Sequence, residues 1–341
     1  MPVQPTSDAQ FEAHSLGAVP PVEQVAEGIW AVATALPYGH IPYTLSYLIR
    51  SSGAGVHLVD PGWNSDDNWV TLTNALRAMD ATPNDLASVT VTHLHPDHVG
   101  LAERVRAETG APVAVHRLEQ AAMDAFASSA AIADEGQLER WGVPDDRRPE
   151  LRALAAASSE LRVVTADVLL DDGDRLDVAD RDLRVIHTPG HTNGHICLVD
   201  TDVVLTGDHV LPTIYPGLGL GGATEGNPIA DYFASLARVR GLDDREVLPG
   251  HSYRFRGLAE RCDAIEAHHR RRSSEVAEAA GGASVWEIAA SLTWTAGWAN
   301  LHGFYVQSAL AQTAMHVEYL RTLGRAGRTR EASARATATD A

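Results

Sequence analysis

Short apolar runs alternate with glycine and proline along the first part of the chain. The runs IWAVATA, TLSYLIR and GVHLVD, between Glu27 and Asp60, have the length and composition typical of strands. WVTLTNALRAMD and LAERVRAETG have helical periodicity, and the strand-like run SVTVTH lies between them. Further strand-like runs are LRVVTAD, LRVIHTPG, HICLVD, VVLTGD and EVLPGH. Strands mixed with helices over about 240 residues predict a layered α/β domain.

Two other segments differ from this pattern. Residues 1–23 contain no comparable runs, so we expect a loosely ordered N-terminal extension before a main domain at 24–265. Residues 118–160 are rich in alanine and helical in period, which indicates an insertion rather than a core element.

After the main domain the pattern becomes helical. The segment SVWE, which begins at Ser284, has the spacing of a capping box for a new helix. The last predicted helix ends at Gly324 and has one largely apolar face, formed by Val306, Leu310, Thr313, Val317 and Leu320. We therefore predict a small helical module at 266–324 and a disordered tail at 325–341.

Composition limits the function. The 341 residues carry a formal net charge of −18, and all 27 basic residues are arginine. The lack of lysine excludes a lysine Schiff base, and the acidic balance counts against nucleic-acid binding. Cys197 and Cys262 are too few for a disulfide framework. Because no apolar run reaches the roughly 18 residues of a membrane span and no signal peptide is apparent, we expect a cytoplasmic protein without a membrane partner.

The clearest candidate chemistry lies in THLHPDHVG, residues 92–100. Because this segment follows a strand-like run, His93 and His95 leave the strand two residues apart and point the same way. Asp97 and His98 follow at the turn into a helix, where they can face a second metal ion. Imidazole nitrogen and carboxylate oxygen are ligands that zinc accepts at about 2.0–2.2 Å. Three histidines around one aspartate therefore favour metal binding over ordinary packing.

Three later segments also place a ligand-type residue just after an apolar strand. HTPGHTNGH contains His191, VVLTGD ends at Asp208, and EVLPGH ends at His251. Rigid strands can hold such loops over one shared edge. The four segments together supply seven ligand-type residues, enough for two metal ions bridged by one carboxylate.

The motifs HLHPDH, HTPGHT, TGD and PGH resemble those of the metallo-β-lactamase superfamily over roughly residues 24–265. The resemblance implies an αββα sandwich that holds two zinc ions. It assigns the first metal to His93, His95 and His191, the second to Asp97, His98 and His251, and the bridge between them to Asp208. No cysteine occupies a motif position, which argues against an antibiotic-resistance enzyme and favours a glyoxalase II-like or lactonase-like metal set.

Segments outside these motifs resemble one branch of the superfamily. They are LPYGHIPYTLSYLI, GHSYRF, RCDAIEAHHRRR, SVWEIAASL and QSALAQTAMHVEYLRTLG. That branch carries a C-terminal winged-helix-like extension, and it includes an endoribonuclease and many hydrolases of unassigned substrate. The resemblance therefore does not fix a substrate.

The metal set implies a mechanism in which a metal-bound hydroxide attacks a carbonyl or phosphorus. Asp97 would hold this nucleophile by a hydrogen bond and pass its proton to the leaving group. Tyr215 is our candidate for stabilising the oxyanion, although a tyrosine in a Pro/Gly loop more often only packs. We expect His57 to pack, and His195 either to pack or to support a ligand.

The apolar segments 36–43 and 211–220 favour a small acyl substrate, which would be an ester, a thioester or a lactone. The alternatives are a phosphodiesterase or endoribonuclease on the same metal site, a mononuclear iron dioxygenase, and a non-catalytic binding protein. A complete ligand set argues against the last of these. We expect no nucleic-acid partner. We expect the aromatic C-terminal module to pack on the metal domain, where it covers part of the substrate channel or forms a homodimer contact.

Overall fold

The computed structural model describes residues 3–37, 41–53, 55–128, 135–152, 164–178, 180–222, 224 and 226–339, with the backbone alone at 127–128 and 325–339. Two β-sheets form the centre of the molecule, one with seven strands and one with six. Helices pack on the outer face of each sheet. This arrangement confirms the predicted αββα sandwich.

The seven-stranded sheet comes from the first half of the chain. In spatial order its strands are β2 (Glu23–Ala26), β3 (Ile29–Ala35), β4 (Tyr43–Ser51), β5 (Gly55–Val59), β6 (Leu86–Thr90), β7 (Val113–His116) and β8 (Val168–Leu170). The strands from β2 to β5 pair antiparallel, and those from β5 to β8 pair parallel. Spatial order therefore equals chain order throughout this sheet.

The six-stranded sheet comes almost entirely from the second half of the chain. In spatial order its strands are β1 (Gln4–Pro5), β13 (Phe255–Arg256), β12 (Glu246–Pro249), β11 (Val203–Gly207), β10 (Ile196–Val199) and β9 (Arg184–His187). Only the β11–β12 pair is parallel.

Ten helices are found among the described residues. They are α1 (Asp8–Leu16), α2 (Asp66–Ala78), α3 (Pro96–Val99), α4 (Ala102–Thr109), α5 (Arg117–Ser128), α6 (Glu135–Arg140), α7 (Pro228–Val239), α8 (Leu258–Ala279), α9 (Val285–Ser291) and α10 (Phe304–Thr339). Short 3₁₀ turns occur at Pro83–Asp85, Arg240–Leu242 and Trp298–Asn300. Within the described chain, no helix combines the length and apolar character needed to cross a lipid bilayer.

The apolar side chains of β4 explain the layering. Leu45 and Ile49 face the other sheet, where they join Leu198 and Leu248 in one buried cluster. Leu48 points to the opposite side and packs beneath the outer helices. Because successive side chains of a strand alternate between faces, β4 buries both of its faces. Each such buried aliphatic side chain contributes about 1.5–3 kcal/mol to folding.

The N-terminal segment is ordered over residues 3–23, so the expectation of a loose extension is wrong there. Val3 is buried, and β1 pairs with β13. Arg254, which is almost fully buried, binds the carboxylate of Glu246 and donates to Glu23 Oε1 at 2.9 Å. Ser7 caps α1 and also donates to Glu23 Oε2 at 2.7 Å. These distant partners fix a segment that has little apolar pattern of its own.

The C-terminal module is helical, as predicted. The capping box at Ser284 is present, since its side chain accepts from Glu287 N–H at 3.2 Å while Glu287 accepts from Ser284 N–H at 2.8 Å. No strand occurs between Leu258 and Thr339, a stretch whose backbone is described throughout. The winged-helix likeness is therefore not confirmed.

The predicted boundaries around this module fall differently in the structure. Helix α8 runs unbroken across the predicted boundary at residues 265–266. Helix α10 continues to Thr339, so residues 325–339 are helical rather than a disordered tail. Alanine and arginine make up nine of these 15 residues, and both have high helix propensity. Helices α5 and α6 cover part of the predicted insertion, of which residues 129–134 and 153–160 lie outside the described residues.

Candidate metal centre

Both sheets contribute candidate ligands to one end of the sandwich. His93 and His95 follow β6 of the seven-stranded sheet, and Asp97 and His98 lie in α3 directly after them. The six-stranded sheet supplies the other candidates, which are His191 between β9 and β10, Asp208 after β11, and His251 after β12. The structure therefore brings together all seven predicted metal ligands, from four loops that are far apart in sequence.

Three imidazoles form a first ligand group. His95 Nδ1 lies 2.9 Å from His93 Nε2 and 3.1 Å from His191 Nε2. His93 and His191 are buried, and His95 is partly accessible. Three nitrogens at this spacing can share one cation.

A second ligand group contains one carboxylate and two imidazoles. Asp97 Oδ2 lies 3.3 Å from His251 Nε2 and 3.7 Å from His98 Nε2. The two Nε2 atoms lie 3.4 Å apart. The side chain of Asp97 is 23% exposed while both histidines are buried, so the carboxylate is the open side of this group.

Asp208 lies between the two groups. Its Oδ2 is 3.7 Å from His191 Nε2, and its Oδ1 is 3.4 Å from Nε2 of both His98 and His251. Oδ1 is buried and accepts no hydrogen bond that meets ordinary geometry from the described residues. Its position suits a carboxylate that bridges two cations.

The other ring nitrogen of each imidazole is held by the protein. The contacts are His93 Nδ1 to Thr92 Oγ1 at 3.0 Å, His95 Nε2 to Leu220 O at 3.3 Å, His98 Nδ1 to Asp60 Oδ2 at 2.8 Å, His191 Nδ1 to Gly217 O at 2.6 Å, and His251 Nδ1 to Tyr43 O at 2.8 Å. Carbonyl and carboxylate oxygens only accept, so those ring nitrogens must donate. Thr92 donates its own hydroxyl proton to Asp60 at 2.7 Å, and it therefore accepts from His93.

This hydrogen bonding decides which atoms face the centre. Each neutral imidazole has one donor nitrogen and one lone pair. With the outer nitrogens donating, the three imidazoles of the first group point their lone pairs at one another across 2.9–3.1 Å. Lone pairs at that separation repel unless a cation lies among them. The residues therefore fit metal ions, and the outer contacts are of the kind that orient metal-binding histidines.

The pKa values separate the two groups in the metal-free protein. Burial, together with the neighbouring His95, lowers the pKa of His191 to about 4. Burial also favours neutral His251, but the carboxylates of Asp208 and Asp97 outweigh it and raise its pKa to about 10. At neutral pH the first group is therefore uncharged, whereas the second holds protons that a bound cation would displace.

Glycines in the motifs allow the loops to approach closely. A Cβ atom at Gly250 would lie 2.6 Å from Asp208 Oδ1 and 2.7 Å from His98 Cε1. Gly207 has φ +46°, and a Cβ there would lie 2.7 Å from Thr92 Oγ1 and 2.8 Å from His195 Nε2. The glycines of PGH and TGD are thus explained by the packing of one ligand loop against another.

Two carboxylates that were not predicted from the sequence support the ligands. Asp60 directly follows β5 and binds both Thr92 and His98, and its position after an apolar strand is the same signal that identified the ligands. Glu119 lies in the first turn of α5 and touches both ligand loops of the first group. Burial raises the pKa of Glu119 to about 7, although the hydrogen bonds that it accepts lower it. No sequence pattern distinguishes this residue.

The remaining histidines and Tyr215 have these contacts. His57 packs in β5 with Nδ1 2.8 Å from Ser88 Oγ. His195 Nε2 accepts from Asp208 N–H at 3.2 Å, so it supports the backbone of a candidate ligand. The Tyr215 ring stacks on His268 at 4.0 Å, with the Arg261 guanidinium 4.7 Å from the ring centre. The role of the Tyr215 hydroxyl stays a prediction.

Comparison with known proteins agrees with this geometry. The family described as Metallo-beta-lactamase superfamily matches residues 42–251. The human acyl-coenzyme A thioesterase MBLAC2 is 34% identical over 186 residues, which cover 52% of this chain and 59% of that protein. The chain thus spans less than two thirds of the thioesterase.

Two solved structures are similar over most of their length. A metallo-beta-lactamase family protein from Thermus thermophilus has a TM-score of 0.73 and 27% identity, over 88% of this chain and 95% of its own. A beta-lactamase domain protein from Burkholderia ambifaria has a TM-score of 0.77 and 25% identity, over 95% and 93% respectively.

Proposed function

Since the chain belongs to the metallo-beta-lactamase superfamily of hydrolases, we propose that it is a dinuclear zinc thioesterase. The observation that carries the proposal is the pair of ligand groups sharing Asp208, in which the ring nitrogens of five imidazoles converge. Zinc prefers such nitrogen and carboxylate ligands. The proposed first ion is held by His93, His95 and His191. The proposed second ion is held by Asp97, His98 and His251, with Asp208 shared.

Zinc would lower the pKa of water and polarise the carbonyl oxygen of the substrate. Asp97 is the more accessible of the two carboxylates, with 23% of its side chain exposed against 11% for Asp208. Thr44 Oγ1 lies 3.4 Å from Asp97 Oδ2 and can donate to it. We propose that Asp97 orients the attacking water and carries its proton to the leaving group.

We propose an acyl thioester as substrate, with esters and lactones as related substrates. The loop at residues 211–220 borders the first ligand group, since Gly217 and Leu220 give their carbonyls to its histidines. This loop is largely apolar, which suits an acyl chain. The similarity to proteins named acyl-coenzyme A thioesterases supports the same choice.

The phosphodiesterase or endoribonuclease hypothesis has less support. Arg270 pairs with Glu266 at 2.5 Å, and Arg272 pairs with Glu275 at 2.8 Å. The charge of the three arginines at 270–272 is thus partly neutralised by glutamates of the same helix. The chain as a whole carries a net charge of −18. A polyanion would gain little from such a surface. We propose that the protein does not bind nucleic acid. The cytoplasmic location and the homodimer stay predictions.

A substrate comparison on zinc-loaded protein tests the proposal. The substrates are acyl-coenzyme A thioesters of increasing chain length, the matched oxygen esters, a lactone, bis-(p-nitrophenyl) phosphate and single-stranded RNA. We expect thioester hydrolysis with two zinc ions per chain, and its loss in Asp208→Asn. Hydrolysis of the phosphodiester or RNA alone would favour the rival hypothesis. One bound iron without zinc would favour the dioxygenase.

The proposed role of Tyr215 has its own test. If its hydroxyl stabilises the oxyanion, Tyr215→Phe should lower kcat about a hundredfold while the stacked ring stays in place. Measured kcat and KM on the preferred thioester decide this. A kcat equal to that of the unmodified enzyme would leave Tyr215 with a packing role only.

A further inference from the structure

Glu119 is a fully buried carboxylate beside the candidate metal centre. It lies at the start of α5 with 0% of its surface exposed. A carboxylate is costly to bury unless its oxygens are hydrogen-bonded. The partners of Glu119 therefore show what the structure gains from it.

All of these partners belong to the two loops that carry the first ligand group. Oε2 accepts from Leu94 N–H at 2.7 Å, between His93 and His95. Oε1 accepts from the Thr192 hydroxyl at 2.6 Å and from Gly194 N–H at 2.7 Å, directly after His191. One side chain thus bonds a loop of the seven-stranded sheet to a loop of the six-stranded sheet.

The close approach of Gly194 shows that this contact is built into the packing. A Cβ atom at Gly194 would lie 2.5 Å from Glu119 N and 2.9 Å from Glu119 Cγ. Other buried carboxylates in the described part of the chain have a cationic or imidazole partner, as Asp200 has Arg181 and Asp60 has His98. Glu119 has no such ion pair among the described residues. Its side-chain hydrogen bonds all go to the two ligand loops.

We propose that Glu119 is a positioning residue that sets the separation of the two loops and thereby the affinity of the first ligand group for metal. The inference deepens the proposed function and rests on it for the metal. The second ligand group contains no residue of the 191–195 loop and makes no contact with Glu119. Its affinity should therefore depend much less on this side chain.

Glu119→Gln tests the inference with little change in volume. The amide keeps one acceptor oxygen, so its nitrogen must face either Leu94 N–H or the Thr192–Gly194 side, and one loop loses its partner. We expect the affinity of one of the two zinc sites to fall about tenfold to a hundredfold, the usual range for residues that orient metal ligands. The other site should keep its affinity. Zinc titration against a chromophoric chelator would then show two separated phases.

The neighbouring residue provides a matched control. Gln120 bonds Val164 O and Ala166 N–H and touches neither ligand loop. Gln120→Met should therefore destabilise α5 without separating the two zinc phases. Equal weakening in both variants would mean that Glu119 acts only through general stability, which would overturn the inference.

Amide hydrogen exchange on metal-free protein gives a second readout that does not depend on zinc. Exchange at Leu94 or Gly194 should be faster in Glu119→Gln than in the unmodified chain. If the unmodified chain bound no zinc, the proposed function would be refuted. Hydrogen exchange would still show whether Glu119 holds the two loops. If Glu119→Gln did not fold, Thr192→Val would replace it, with faster exchange near Thr192 and about tenfold weaker zinc binding expected. Unchanged exchange and unchanged zinc binding would overturn the inference.

Discussion

Replacing Asp60 by asparagine tests how the protein presents the His98 lone pair. Asp60 Oδ1 accepts from Thr92 N–H at 2.7 Å, and Oδ2 lies 2.7 Å from Thr92 Oγ1 and 2.8 Å from His98 Nδ1. Asp60, Thr92 and His98 are all buried, so water cannot replace a hydrogen-bond partner that the substitution removes. The carboxylate thus holds the Nδ1 proton of His98 in place and leaves Nε2 facing the second ligand group, where it can offer its lone pair to a cation.

Asparagine cannot reproduce both contacts. With its oxygen toward Thr92 N–H, its NH₂ faces His98 Nδ1, which must become an acceptor and move the proton to the ligating Nε2. With the amide reversed, the NH₂ opposes Thr92 N–H directly before His93. Either arrangement weakens a metal site, and loss of such an orienting partner reduces metal affinity about 10–100-fold, which is about 1.4–2.7 kcal/mol.

The assay is titration of metal-free protein with zinc against a chromophoric chelator. Asp200→Asn is the matched control, because Asp200 is also buried but accepts from Arg181 Nη1 at 2.6 Å and from Thr201 N–H at 2.8 Å, and contacts no candidate ligand. The control should bind zinc like the unmodified chain even if it is less stable. Zinc affinity in Asp60→Asn equal to that of the control would refute the tautomer argument.

Three further predictions use the same structure. Asp97→Asn should keep the fold and lose at least about a hundredfold in kcat, measured on protein of verified zinc content; near-normal kcat would remove Asp97 from proton transfer. Arg254→Met should lower the urea-measured free energy of unfolding by about 3–5 kcal/mol, because Glu23 and Glu246 lose their buried cation. Burial and the stacked His187 lower the pKa of His116 to about 4. The folded protein therefore favours neutral His116. The contribution of this residue to the free energy of unfolding is present above the unfolded-state pKa of about 6.5. It falls by about 2 kcal/mol between about pH 7 and pH 5, because the unfolded chain takes up the proton more readily there. His116→Phe should remove this part of the loss of unfolding free energy at acid pH. If the variant and the unmodified protein had the same pH dependence of stability, the assignment of this loss to His116 would be contradicted.

The ligand positions could be predicted because strand geometry is local. His93 and His95 share a direction through the two-residue period of extended backbone. Asp97 and His98 come next in α3, and the other three candidates each come shortly after an apolar strand. What no local pattern could show is which of these strand ends meet. The order of the strands in the two sheets determines which strand ends meet, and the resemblance to the superfamily predicted this arrangement.

The features that the sequence did not predict depend on distant partners. The N-terminal segment is ordered by β13 and Arg254, which lie about 250 residues further along the chain. Glu119 has partners 25, 73 and 75 residues away, and no periodicity connects them. The helical course of residues 325–339 was missed for another reason, because helix-forming residues without an apolar face are also typical of disordered tails.

The strand order has a consequence for the order of events during synthesis. The seven-stranded sheet can pair fully once β8 has been made, since its strands lie in chain order. The first ligand group becomes complete with His191, but the second waits for His251, 60 residues later. At a synthesis rate of about 5–20 residues per second, that interval lasts about 3–12 seconds. The N-terminal strand waits longer still, because its partner β13 follows His251. A chain that stopped before β13 would therefore leave β1 without its partner strand, although β1 is made before every other strand of its sheet.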